Sequence, residues 1–158
     1  MIRIASETDG SLKLAINDKG LLAEPALAAG QLRQGKAPSM AAMIVGWALV
    51  EVLRPRRYKA LPRHFVLALT ESEAVFFKAS GGSGESDRTY VVNIHEEVAA
   101  RFPRFAVSIA DVPTGEKAKG GTMTVNGDSF PVARPNLTGD PNTGELIALL
   151  AQRSGVPA

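Results

Sequence analysis

The chain of 158 residues contains no cysteine. That absence excludes disulfides and thiolate metal ligands, and it leaves a reducing compartment open to the protein. Only two histidines, His64 and His95, are present. Without cysteine or a His-x-x-x-His spacing, zinc and iron lack the three or more side chains they usually need. Within His95-Glu96-Glu97 the neighbours alternate faces on a strand, so the triplet does not converge on an ion. No metal and no cofactor is therefore expected. Long apolar runs are also missing. The longest uncharged stretch that is mainly apolar, residues 37–50, has 14 residues, short of the ~20 that span a bilayer. The first ten residues contain no apolar signal core, so a cytoplasmic protein without a transmembrane span is expected, with a membrane-peripheral position as the variant.

Catalytic signatures are equally scarce. There is no G-x-S-x-G elbow, and Gly81-Gly82-Ser83-Gly84 lacks the Gly-Lys-Ser/Thr that completes a phosphate-cradling P-loop. No spacing favours one pair of acids over another as a hydrolytic couple. These absences favour a non-enzymatic interaction module. The alternative is a small-ligand-binding protein or an enzyme that uses the interior of the fold.

What is present is a net charge of +2 with an uneven distribution. Arg54, Arg56, Arg57, Lys59 and Arg63 lie in one stretch without an acid, and the rest of the chain holds 13 basic against 16 acidic residues. Such a cluster forms a local anion-facing patch rather than a global field. Its ordinary reading is a soluble connector stiffened by Pro55 and Pro62. Its functional readings are an anionic lipid surface or a protein partner. Nucleic acid is disfavoured, because Tyr58 is the cluster's only aromatic and single-strand binding uses several stacking platforms.

The pattern along the chain switches once. Leu12, Leu14 and Ile16 alternate with polar residues, the signature of a short strand ending at Asn17-Asp18-Lys19-Gly20. The Ala- and Leu-rich stretch from Leu21 to Gln34 predicts a helix, with Pro25 near its start and Gly35 as its cap. A second helix is expected over Met40–Leu53, with Ser39 as N-cap. If unpaired, that helix presents Ile44, Trp47 and Val50 as an interface for self-association. From Phe65 onward, apolar runs at 65–70, 74–79, 89–94, 105–110, 122–125 and 129–133 recur at about ten-residue spacing, which describes a small antiparallel barrel or roll. Residues 97–102 are either a further strand or a crossover interrupted by Pro103. Asn126-Gly127 is the strongest hairpin signal, since a type I′ turn needs positive φ at both central positions. Residues 142–153 predict a closing helix whose Leu146, Ile147 and Leu150 face inward.

The stretch Leu61-Pro-Arg-His-Phe-Val-Leu-Ala-Leu-Thr-Glu-Ser-Glu-Ala-Val-Phe-Phe-Lys78 resembles the opening hairpin of bacterial pleckstrin-homology-like and GRAM-like domains. Gly121-Thr-Met-Thr-Val-Asn-Gly-Asp-Ser-Phe-Pro-Val132, followed by a helix, is similar to their last hairpin and capping helix. The resemblance spans about residues 60–153. It implies a binding module for lipids or peptides without catalytic residues. The expected fold is thus α+β: a small antiparallel β-barrel or roll of six or seven strands, capped by a C-terminal α-helix, in residues 60–158. An N-terminal helical segment occupies residues 1–59.

Overall fold

The computed structural model describes residues 2–6, 11–35, 58–81, 90–110, 121–133 and 146–150. In chain order these form β1 (Ile2–Ser6), α1 (Ser11–Asp18), β2 (Ala28–Gln34), β3 (His64–Leu69), β4 (Glu73–Gly81), β5 (Tyr90–Pro103), a 3-10 turn (Arg104–Ala106), β6 (Val107–Ala110), β7 (Gly121–Val125) and β8 (Asp128–Ala133). Residues 146–150 are helical, here α2.

The eight strands make one sheet in the order β1-β5-β4-β3-β2-β8-β7-β6, every neighbour antiparallel. The α+β, antiparallel character expected from the sequence is present, but the roll is not a closed barrel. Closure would require the edge strands β1 and β6 to pair, whereas among the described residues β1 pairs with β5 alone and β6 with β7 alone.

β2 joins the two halves of the sheet. It pairs with β3 from Ala28 to Arg33, and with β8 only at Arg33↔Ala133 and Gln34↔Val132. This narrow junction lets the β6–β8 meander fold over the β2–β5 meander. Phe65, Leu67 and Phe76 then share one apolar cluster with Val107, Met123, Val125 and Val132. Leu146, Ile147 and Leu150 of α2 enter the same cluster at 0–1% exposure, facing inward as the helical spacing predicts.

The opposite face of β2–β4 is covered too. Ala29, Val66, Ala68, Val75 and Phe77 pack with Leu12 and Ile16 of α1. Burial on both faces explains why Phe65-Val66-Leu67-Ala68-Leu69 is apolar without alternation.

Two N-terminal expectations are corrected here. Residues 11–18 are helix, not strand. Leu12 and Ile16 are four apart, so they share a helical face as well as a strand face, and Leu14 turns to solvent at 60% exposure. The deciding device is the helix end. The Gly20 amide donates to Asn17 O, the Leu21 amide donates to Ile16 O, and Gly20 sits at φ +64°. This is the Schellman arrangement, which ends a helix rather than a strand. The Asn17 side chain then pins the departing chain, its Oδ1 accepting from the Ala26 amide at 2.7 Å. Conversely, the helix expected over 21–34 gives way to β2 at Ala28–Gln34. Helical propensity is a weak prior, and here the small Ala28, Ala29 and Gly30 are fully buried between two cores. The helix expected at Met40–Leu53, with Ile44, Trp47 and Val50, lies outside the described residues. No helix among the described residues is long and apolar enough to cross a membrane.

The strand runs from residue 64 onward are found, except that the 105–110 run is a 3-10 turn through Ala106 and strand only from Val107. Residue 89 lies outside the described residues, and 97–102 is a continuation of β5. The pairing of this long strand shifts register opposite Phe76–Ala79 of β4, the signature of β-bulges. The Thr70–Glu73 turn is tightly tied. The Thr70 amide donates to Glu73 O, Thr70 Oγ1 accepts from the Glu73 amide, and Arg104 Nη1 donates to Thr70 O. Glu24 accepts from the hydroxyls of Thr70 and Ser72. These bonds help hold the β3–β4 register, which places Lys78 opposite Phe65.

The β7–β8 turn adopts the expected geometry, with φ 49° at Asn126 and 86° at Gly127. A Cβ at Gly127 would meet nothing within 4 Å, so its cost is purely that of the left-handed backbone. Gly127→Ala should therefore destabilise by about 1–2 kcal/mol, read as a lower urea midpoint at unchanged slope.

Candidate anion-binding groove

The chain re-enters the described structure at Tyr58, at the end of the basic cluster, and is immediately clamped. The Gln34 side chain, on a residue only 2% exposed, reaches this connector from the end of β2. Its Oε1 accepts from the Tyr58 amide at 2.6 Å. Its Nε2, with two N–H groups to share, lies within hydrogen-bond distance of Tyr58 O at 3.1 Å, Leu61 O at 3.1 Å and Pro62 O at 3.0 Å. The Gln34 backbone amide donates to Arg63 O at 2.8 Å, completing the clamp. Two apolar anchors add to it. The Tyr58 ring stacks on Phe130 of β8 at 5.1 Å and 2°, and Leu61 is buried in the core at 2% exposure. Tyr58 is thus committed to the fold and does not offer a free stacking platform.

The clamped connector forms one wall of a groove of about 420 Å³, lined by Lys59, Ala60, Leu61, Pro62, Arg63, His64, Lys78 and Ala79. Lys59 and Lys78 are exposed, while Arg63 and His64 are half-buried. The last three residues of this wall arrive through sheet pairing. His64 opens β3, and the Phe65↔Lys78 register brings the end of β4 alongside it. Lys78 stands on the strand face whose other members, Ala74 and Phe76, fill the inner cluster, at the point where that face reaches solvent. Among the described residues the lining contains three permanent cations and a histidine, and no acid. In a concave site such charges add to one another and concentrate counter-anions. The volume falls within the range of small-ligand sites.

Of the cluster expected to bind anions, the structure places Lys59 and Arg63 in this groove. Arg54, Arg56 and Arg57 lie outside the described residues. Two contributors lie outside what the sequence predicts: His64, which it offers only as a candidate metal ligand, and Lys78, whose one charge interrupting an apolar run is the available signal. His95, Glu96 and Glu97 fall between the paired positions Ile94 and Val98 of β5. Among the described residues no group of three His, Asp or Glu side chains forms a metal site.

No family model, curated protein or solved structure matches the chain.

Proposed function

We propose that this protein is a non-enzymatic binding module that engages anionic groups on a lipid surface through the Lys59–Arg63–His64–Lys78 groove. One observation supports the reading: basic side chains from the connector, β3 and β4 converge in a single groove whose lining, among the described residues, holds no acid. The location agrees with the basic cluster, whose remaining members Arg54, Arg56 and Arg57 lead directly into the connector. A pleckstrin-homology-like module is the family reading we favour. It is supported by the inventory of β2–β8 followed by a helical segment at 146–150. Use of the interior by a ligand or an enzyme is less favoured, because the described interior presents Phe65, Leu67, Phe76, Met123, Val132 and Leu146, all apolar and at 0% exposure.

Sedimentation with vesicles tests this. Recovery should be higher with phosphatidylserine-containing than with phosphatidylcholine vesicles, and should fall between low and moderate salt. The double variant Lys59→Ala/Lys78→Ala removes two exposed cations that have no core role. At about 1 kcal/mol per basic residue near an anionic surface, it should lower the partition coefficient by about 25-fold. Equal recovery of wild type with both vesicle types would remove the lipid reading and leave a protein partner as the occupant of the groove.

A further inference from the structure

Gln34 does not line the groove, yet five of the eight lining residues belong to the segment it holds. We infer that Gln34 is the positioning residue of the anion site: its buried carboxamide presets the connector so that Lys59 and Arg63 stand beside Lys78 before any ligand arrives. This inference rests on the groove being an anion site.

The argument is one of donor and acceptor matching. Residues 58–62 turn three carbonyl oxygens, those of Tyr58, Leu61 and Pro62, and one N–H, that of Tyr58, toward the end of β2. Only a group that both donates and accepts satisfies them, and among neutral side chains of that reach glutamine does so. A methionine of similar length would take this partner from the Leu61 and Pro62 carbonyls and the Tyr58 amide, while Tyr58 O would keep its bond from the Leu61 amide at 3.3 Å. A carboxylate could accept from the Tyr58 amide but would face three carbonyl oxygens with negative charge. Cations spread over a wandering connector would have to be gathered on binding, whereas a preset wall avoids that ordering cost. The clamp also reaches across the sheet junction. Gln34 pairs with Val132 of β8, and Tyr58 stacks on Phe130 of the same strand, so the groove wall is referenced to both meanders.

The test uses the full chain with Gln34→Glu and Gln34→Met. Hydrogen exchange at the Tyr58 amide reports the clamp. Affinity for sucrose octasulfate, whose charge is constant from pH 5 to 8, reports the site. Each variant is compared with wild type at the same pH, so that titration of His64 cancels. At pH 7.5 both variants should exchange the Tyr58 amide faster and bind the probe at least about tenfold more weakly. The introduced carboxyl, facing carbonyl oxygens, has its pKa raised by them. Its protonated form regains a donor, so the clamp is present at low pH and lost as pH rises through that raised value. At pH 5 the deficit of Gln34→Glu should therefore shrink while that of Gln34→Met persists. A purely packing role would give both variants the same deficit at both pH values, and that result overturns the inference. So does wild-type affinity with an unprotected Tyr58 amide. If Gln34→Glu does not fold at pH 7.5, the exchange and affinity of Gln34→Met decide alone. A wild-type protein that binds neither probe nor vesicles refutes the anion site itself, and the exchange data then judge the clamp separately.

Discussion

Replacing Phe76 with alanine lowers the unfolding free energy by about 3–5 kcal/mol, the range for truncating a fully buried aromatic. Phe76 is 0% exposed on β4, between β3 and β5. Its ring meets Phe65 edge-on at 5.2 Å and 65°, and Phe102 at 5.8 Å and 85°. Such edge-to-face pairs contribute beyond area burial, and they link three adjacent strands. The tied Thr70–Glu73 turn and the flanking strands restrict collapse around the vacated space, so the cavity persists and the cost lies toward the upper part of the range. For a chain of this length the melting temperature falls by about 10 °C or more. Phe105→Ala is the control. Phe105 is 75% exposed at the 3-10 turn, and its truncation should stay within about 0.5 kcal/mol. Urea midpoints of the two variants, at unchanged slope, make the comparison. Equal losses would mean that the inner face of β4 is not the core.

Leu150→Ala is expected to cost about 2–5 kcal/mol. Leu150 is 1% exposed and joins Leu146 and Ile147 in the cluster with β6–β8 and β2–β4. The helical residues at 146–150 contribute Leu146, Ile147 and Leu150 to the apolar cluster that the two meanders share. Loss of Leu150 opens this contact without touching the sheet's hydrogen bonds. Ala148, exposed on the same helix, is the matched site. Ala148→Ser there should be nearly neutral by the same denaturation curve, and a neutral Leu150→Ala would show that the helix does not seal the fold.

Most strands from residue 64 onward are legible because they are short, apolar and bounded by turn chemistry, as at Asn126-Gly127, whereas the 14-residue β5 is legible only at its apolar start. The inward face of 146–150 is legible because its spacing has one reading. The N-terminal half misleads for physical reasons. Leu12 and Ile16 fit both periods, with Leu14 tipping the pattern toward a strand, and only the Gly20 cap with the Asn17–Ala26 bonds separates them. Ala28-Ala29-Gly30 has helical composition, but small residues are also what a central strand needs when both faces are packed. The site is half legible. Lys59 and Arg63 announce themselves by local charge density. Lys78 joins them through a β3–β4 register that composition does not encode, and Gln34 looks like any polar residue until its amide is seen to face three carbonyls.

The central claim is that the functional surface is the cation-lined end of the β3–β4 hairpin. The most direct measurement is a titration of the isotope-labelled protein with sucrose octasulfate, followed by amide chemical shifts. The account predicts perturbations concentrated at Lys59–His64 and at Lys78 and Ala79, with the Thr70–Glu73 turn at the opposite end of the hairpin unmoved. Shifts centred on that turn, or on no region at all up to saturating probe, would contradict it.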